Sequence, residues 1–239
     1  MNRILSPQDV ARIRGATTDT PAGLRDRAVI ALAYGCGMRA GEILAANLAD
    51  LDFQRSTIRV TTLKQRGRKR ERVLPLPQLA RADLRDYLVR GRPALLDGRP
   101  TDQPALILGA WRGHMRLLTS GPNAGAYSGD DARWTGGALR IRLKACFRRA
   151  GVDVQGCGCH ALRHAYATHL LQAMLDTQRD ALRQVQLLLG HEKLSSTGIY
   201  LDVTQEKLEA AVNAAHPWAH AQQLTLHQEE PRARARRRG

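Results

Sequence analysis

The spacing of apolar positions changes several times along the chain, and each change marks a predicted element. Ser6-Pro7-Gln8-Asp9 reads as an N-cap with proline in the first helical turn, opening a short helix through Ile13. A polar linker over 17–23 follows. Leu24, Ala28, Ala31 and Leu32 then fall at spacings of three and four, the pattern of a helix that lasts to about Gly35. Gly35-Cys36-Gly37 breaks it, and Met38-Arg39-Ala-Gly-Glu42-Ile-Leu44 starts another helical piece. Over Thr57–Leu63 the period drops to two and β-branched residues dominate, which predicts a strand. Arg72-Val-Leu-Pro75-Leu76 is its expected antiparallel partner, with proline at an edge or a strand end.

Helical periodicity returns from Gln78 to about Val89, with Leu84, Tyr87 and Leu88 on one face. Prolines 93, 100 and 104 make 91–104 read as loop; Leu106-Ile-Leu108 is too short to assign. The segment from Trp111 to Trp134, rich in glycine and without period, reads as a long, mobile loop of about 109–134. Thr135 caps a helix with Leu139, Leu143 and Phe147 inward, ending before Gly151. A helix from His160 to Leu171 follows, then one with Leu182, Val185, Leu188 and Leu189 inward that stops at Gly190. A last one over 204–215 has Leu208, Ala211 and Val212 inward. The predicted class is mainly α with a small antiparallel β-sheet, as one domain over 1–218 and a basic, disordered tail over 219–239.

Charge adds a partner to this picture. The 239 residues carry 37 Lys and Arg against 22 Asp and Glu, a formal +15, which favours a polyanion, nucleic acid above all. The predicted hairpin turn concentrates it: Lys64, Arg66, Arg68, Lys69, Arg70 and Arg72 surround the single acid Glu71. Six cations at a tip repel one another, and phosphates would relieve them, so Arg66, Arg68, Lys69, Arg70 and Arg72 are expected to bind DNA. The outer face of the helix after Thr135, with Arg140, Arg142, Lys144, Arg148 and Arg149, fits either solvent or a DNA groove. Neither a signal peptide nor an apolar run of membrane-spanning length is present, and four cysteines are too few for a disulfide scaffold. A cytoplasmic, nucleoid-associated protein of bacterial type is the expectation.

The C-terminal third holds the candidate chemistry. His160, Arg163 and His164 fall within two helical turns, and His191 and Tyr200 follow. His160 and His164 have zinc-protease spacing, yet Ala161 stands where that motif needs its glutamate. Cys157-Gly-Cys159-His160 lacks the paired Cys-x-x-Cys of a zinc knuckle. No metal or other cofactor is expected. Arginine pairs with two phosphate oxygens and stays charged, so Arg163 beside His160 suits a phosphate and its attacking or leaving oxygen. Arg39 and Glu42, three apart, share a helical face: a surface ion pair, or an arginine held near a helix N-terminus that favours anions.

Together these motifs resemble the tyrosine recombinase, or phage integrase, family, with Xer-like wording. They are Tyr34-Gly-Cys-Gly-Met-Arg39-Ala-Gly-Glu42, Lys64 with Val73-Leu-Pro-Leu76, His160-Ala-Leu-Arg163-His164-Ala-Tyr-Ala-Thr-His169-Leu-Leu171, Leu-Leu-Gly190-His191 and Ile199-Tyr200. The resemblance runs from about Leu5 to Trp218 and implies that family's catalytic-domain fold. It implies a site-specific recombinase or integrase, of the kind mobile elements carry, in which Tyr200 attacks a DNA phosphodiester to form a 3′-phosphotyrosyl link. It further implies His160 as base, Arg39 and Arg163 on the non-bridging oxygens and Lys64 as acid to the 5′-oxygen. His191 would bond the phosphate and Glu42 would support the arginine and histidine. Four features depart from the family pattern. A separate N-terminal core-binding domain is expected to be absent. The basic turn is longer than usual, leaving Lys69 beside Lys64 as a candidate acid. Extra residues occupy 174–180, and the 111–134 loop is long. Double-stranded DNA is the expected partner. A homo-tetramer docked through the C-terminal helix, and accessory or separate core-binding proteins, are further expectations; intramolecular packing of that helix remains the alternative. Competing readings are a type IB topoisomerase-like enzyme and a truncated, inactive DNA-binding protein.

Overall fold

The computed structural model describes residues 4–63, 69–96, 104–109, 116–117, 127–128, 133–152 and 158–175, together with Val212 and Trp218. Helix α1, Pro7–Gly15, opens as its sequence predicts: the Asp9 amide donates to the Ser6 hydroxyl at 3.1 Å and the Ser6 amide to the Asp9 carboxylate at 3.0 Å. Helix α2, Pro21–Ile30, begins earlier than expected. Thr20 accepts from the Gly23 amide at 3.2 Å and Pro21 sits in the first turn, so most of the supposed linker is a cap and a helical start. The chain then widens into a π-helical turn, Ala31–Gly35, and re-enters helix as α3, Ala40–Ala45.

Strands β1 (Leu51–Asp52), β2 (Thr57–Leu63) and β3 (Lys69–Pro75) form an antiparallel sheet in that order. The two-residue β1 was too short to read. Register pairs Ile58 with Leu74 and Val60 with Arg72, so these four share one face. Ile58, Val60 and Leu74 are buried in the core, whereas Val73 on the other face is exposed. Pro75 pairs with Thr57 at the strand end, where a missing N–H is tolerated.

The predicted 78–89 helix continues as α4 (Gln78–Asp86), a π-helical turn (Tyr87–Gly91) and α5 (Arg92–Leu96). The expected loop therefore starts later than Gly91. Pro93 lies in the first turn of α5, directly after the widened turn, where it interrupts no regular helix bond. Short strands β4 (Arg116–Leu117) and β5 (Tyr127–Ser128) pair inside the segment read as loop; most of that segment lies outside the described residues. Helix α6, Gly136–Arg149, has its Thr135 cap and ends before Gly151, whose φ is +64°. Helix α7, Cys159–Leu175, overruns the predicted end at Leu171. The helices predicted over 182–190 and 204–215 fall outside the description except at Val212, which is buried and helical.

One apolar core joins these elements, from Leu5 and Tyr34 through Leu74 and Phe147 to Tyr166, Val212 and Trp218. Trp218 lies edge-on to Tyr34, with ring centroids 4.9 Å apart, and its carbonyl accepts from the Leu79 amide at 3.2 Å. Among the described residues, no helix is long and apolar enough to cross a membrane.

Candidate active site

Arg39 stands at the N-cap of α3, and Glu42 is the third residue of that helix. This placement, rather than a surface ion pair, explains their spacing. The Glu42 carboxylate reaches back to the Arg39 amide at 2.9 Å, and Arg39 Nη1 donates to it at 3.1 Å. The Arg39 side chain stays 40% exposed while that of Glu42 is 5% exposed, so the pair offers a cation outward and keeps its anion beneath.

Two further donors come from the sheet. Arg72 spans both Glu42 oxygens, Nη1 to Oε1 at 3.0 Å and Nη2 to Oε2 at 2.9 Å. Thr62 donates its hydroxyl to Oε1 at 2.8 Å and accepts from Arg72 Nη1 at 2.9 Å. Burial by itself would raise the Glu42 carboxyl; the bonds from Arg72, the Arg39 backbone and Thr62 outweigh it and hold the group down at about 2. Glu42 is therefore a fixed anion at any ordinary pH.

Helix α7 supplies Arg163, which is buried and donates Nη1 to the Gly37 carbonyl. That carbonyl is aimed by backbone only glycine adopts easily, φ +64°, and a Cβ there would stand 2.5 Å from the Tyr166 ring. Glycine at position 37 thus lets Tyr166 and Arg163, on successive turns of α7, close against the break before Arg39. Burial, then the charge of Arg39, lowers the Arg163 guanidinium to about 10; Glu42 acts the other way, and Arg72 lowers it further. Three guanidinium groups, Arg39, Arg72 and Arg163, are thus coupled around one carboxylate. An incoming anion would relieve that like-charge strain.

His160 lies one turn before Arg163, exposed, with its ring 6.5 Å from the exposed His164 ring in an edge-to-face arrangement. Cys159, beside it, is buried and its thiol is pushed up to about 12, which makes it a poor thiolate ligand. Among the described residues, no cluster of histidine, cysteine and acids could hold a metal ion.

Thus Arg39, Glu42 and Arg163 come together, with His160 on the same helix as Arg163. Arg72, expected on the DNA-facing turn, lies inside the cluster on Glu42. Lys69 and Arg70 form the start of β3, opposite Leu63 and Thr62, and nothing further is described of their side chains. Lys64, Arg66, Arg68, His191 and Tyr200 lie outside the described residues. Sequence reasoning missed Thr62, Gly37 and the inward role of Arg72. The signal for Arg72 was available: two residues before Leu74, it shares the core-facing register of a period-two strand.

Outside the cluster, Arg133 closes the end of α3, donating to the carbonyls of Leu44 and Ala46 at 3.0 Å each and to the Asn47 side chain. A cation on the last carbonyls of a helix complements its dipole. The far end of the 111–134 segment therefore braces the helix that carries Arg39 and Glu42.

Comparison with known proteins identifies the family and the fold. Residues 3–207 match the phage integrase family. Tyrosine recombinase XerD of Proteus mirabilis is 35% identical over 214 residues, 89% of this chain and 59% of the relative. Tyrosine recombinase XerC of Oceanobacillus iheyensis is 37% identical over 201 residues, 84% of this chain and 56% of the relative. The chain therefore spans under three fifths of the length of these relatives. The fold is similar to that of the XerA recombinase (TM-score 0.57, 21% identity, covering 91% of this chain and 66% of the other). It is also similar to an integrase from mycobacterium phage Brujita (TM-score 0.59, 24% identity, 91% and 59%). The chain belongs to the phage integrase family.

Proposed function

We propose that this chain is the catalytic part of a site-specific DNA recombinase that breaks and rejoins strands through Tyr200. The observation that carries the reading is the Arg39–Glu42–Arg163 cluster, a preformed anion site whose charge balance improves when a phosphodiester enters. Arg39 and Arg163 bind the non-bridging oxygens and stabilise the charge that grows on them as the phosphorus becomes five-coordinate. Tyr200 Oη attacks phosphorus, the bond to the 5′-oxygen breaks, and a 3′-phosphotyrosyl link forms. A free tyrosine ionises only near pH ~10, so His160 takes its proton. Lys64, or Lys69 in its place, gives a proton to the leaving 5′-oxygen, and His191 bonds the phosphate. Attack by the 5′-hydroxyl of another strand reverses each step, so no external energy source enters.

Double-stranded DNA is the substrate and partner in this reading. The basic turn, Arg66, Arg68, Lys69 and Arg70, and the exposed Arg140, Lys144 and Arg148 of α6 follow the phosphate backbone. Exchange between two duplexes cuts four strands, which calls for four active sites and a tetramer on DNA; accessory proteins or a core-binding partner would add base recognition. XerH, a similar fold (TM-score 0.55, 19% identity), has been captured on its difH substrate after cleavage.

The test is covalent capture. A pool of nicked suicide duplexes with a randomised centre is incubated with the protein, and adducts are resolved on a denaturing gel and sequenced. The native chain forms an adduct and Tyr200→Phe forms none while still binding duplex. An adduct with the phenylalanine variant removes Tyr200 as nucleophile, and no adduct with the native chain defeats the reading. Transfer of the captured strand to a second duplex separates recombination from relaxation within one duplex.

A further inference from the structure

We infer that Arg72 is a positioning residue of the reaction: its two-pronged grip on Glu42 sets the orientation in which Arg39 meets the phosphate. The inference rests on the proposed strand-transfer reading and departs from the expectation that Arg72 itself binds DNA. Register comes first. Arg72 pairs with Val60, between the buried Ile58–Leu74 pair and the Thr62–Arg70 pair, on the face of the sheet turned to the core. Its side chain is 13% exposed, and a cation so placed needs an anion.

The anion is Glu42, and the manner of contact matters. Arg72 takes one nitrogen to each carboxylate oxygen, at 3.0 and 2.9 Å, which fixes the carboxylate plane as a single bond does not. Thr62 adds a third direction at 2.8 Å, itself held by Arg72 at 2.9 Å. The same two oxygens receive the Arg39 amide and Arg39 Nη1. With Arg72 and Thr62 in place, the carboxylate cannot turn about its last bond without breaking three contacts from the sheet and two from Arg39. The position of Arg39, a part-exposed side chain, is thereby referred to β2 and β3 rather than to its own short helix.

Charge gives a second reason for the arrangement. Glu42 facing Arg39 alone would cancel the charge that a phosphate needs. Arg72 restores it, so the three guanidinium groups and one carboxylate keep a net positive cluster while Glu42 still orients Arg39. The lowering of Arg163 by Arg72 as well as by Arg39 places all of them in one electrostatic unit.

The experiment compares Arg72→Gln, Arg72→Lys, Glu42→Gln and the Glu42→Gln/Arg72→Gln double variant. Three readouts are taken: adduct rate at saturating duplex captured by the native chain, affinity for a fluorescein-labelled random-sequence duplex across a salt series, and the 15N order parameter of the Arg39 Nε–H bond. Arg72→Gln lowers the adduct rate on the order of 100-fold, the scale for a misplaced catalytic group. Affinity for the random duplex, dominated by the many backbone contacts elsewhere, falls no more than about twofold, and the salt slope stays unchanged because Arg72 itself touches no phosphate. Arg72→Lys restores thermal stability but not the rate, because a single ammonium cannot fix the carboxylate plane. In the Glu42→Gln background the second substitution adds little. The Arg39 order parameter falls in Arg72→Gln.

A salt slope reduced by about one, with the rate at saturation intact, assigns Arg72 to a phosphate contact and overturns the inference. An Arg39 order parameter that does not change in Arg72→Gln overturns it as well. If the native chain itself forms no adduct, the recombinase reading fails, and the order parameter still decides whether Arg72 positions Arg39.

Discussion

Acid should loosen this fold at a named carboxylate. Glu42 is held at about 2 by Arg72, the Arg39 backbone and Thr62 against the opposing effect of its burial. In the unfolded chain the same group titrates near ~4.3, so the folded state binds its proton more weakly by a little over two pKa units. A depressed carboxylate contributes stability above its unfolded value, here about 3 kcal/mol at neutral pH, and loses it as pH falls toward the folded value. By about pH 3 the folded group is still largely ionised but the unfolded one is protonated, and about 2 of those kcal/mol are gone. The assay is urea unfolding of the native chain and Glu42→Gln over about pH 7 to about pH 3, with slopes checked for two-state behaviour. Other carboxylates titrate in both proteins and cancel in the difference. The native chain leads by about 3 kcal/mol at neutral pH, and the lead narrows by about 2 kcal/mol at the acid end. A lead that is constant across the series would mean that Glu42 is not a buried anion held by these donors, and the description of the cluster would fall with it.

Two other substitutions probe the frame around the cluster. Gly37→Ala meets both a positive φ and the Tyr166 ring at 2.5 Å, so it destabilises by about 3 kcal/mol or more, seen as a thermal midpoint lower by roughly 6–12 °C. Gly41→Ala, inside α3 with nothing within 4 Å of the added carbon, leaves the midpoint unchanged or raised; equal losses at both positions would refute the steric account. Asp26 is fully buried, takes Arg142 Nε at 3.0 Å and faces Arg25 Nη2 at 3.7 Å, tying α2 to α6. Asp26→Asn leaves two guanidinium groups without their anion and lowers the unfolding free energy by about 3 kcal/mol; a loss under about 1 kcal/mol would show that solvent at the half-exposed Arg142 already compensates.

Local signals carried much of the fold because they act over one turn. Ser6 and Thr135 with their following amides, the period-two run of Thr57–Leu63, and the Leu139, Leu143 and Phe147 stripe each settle an element without help from the rest of the chain. Thr20-Pro21 held the same signal as Ser6-Pro7 but was hidden by the polar residues around it. The two π-helical turns were not legible: a one-residue widening leaves apolar spacing nearly intact and is decided by what packs on it, such as the Trp218 and His169 rings on Tyr34. Within the site, the motifs identified Arg39, Glu42 and Arg163, yet not what holds them. Arg72 was counted with the hairpin cations because its neighbours are charged. Its partner is 30 positions away in sequence, and only the pairing of Val60 with Arg72 turns it toward Glu42.

Val212 and Trp218 place a point of the core beyond Tyr200 in the chain. Leu175 ends α7 on one side in sequence, and Val212 lies buried in the same core on the other, so Tyr200 falls between two described points of the fold. Tyr200 stands twelve positions before Val212, which limits its reach from that anchor to about 40 Å even with the chain drawn straight. In the proposed reaction, Tyr200 meets the Arg39–Arg163 site at a local concentration set by chain length and not by how much protein is present. Shortening the chain after Trp218 keeps the Val212 anchor, whereas cutting before Val212 leaves Tyr200 joined to the core through α7 alone.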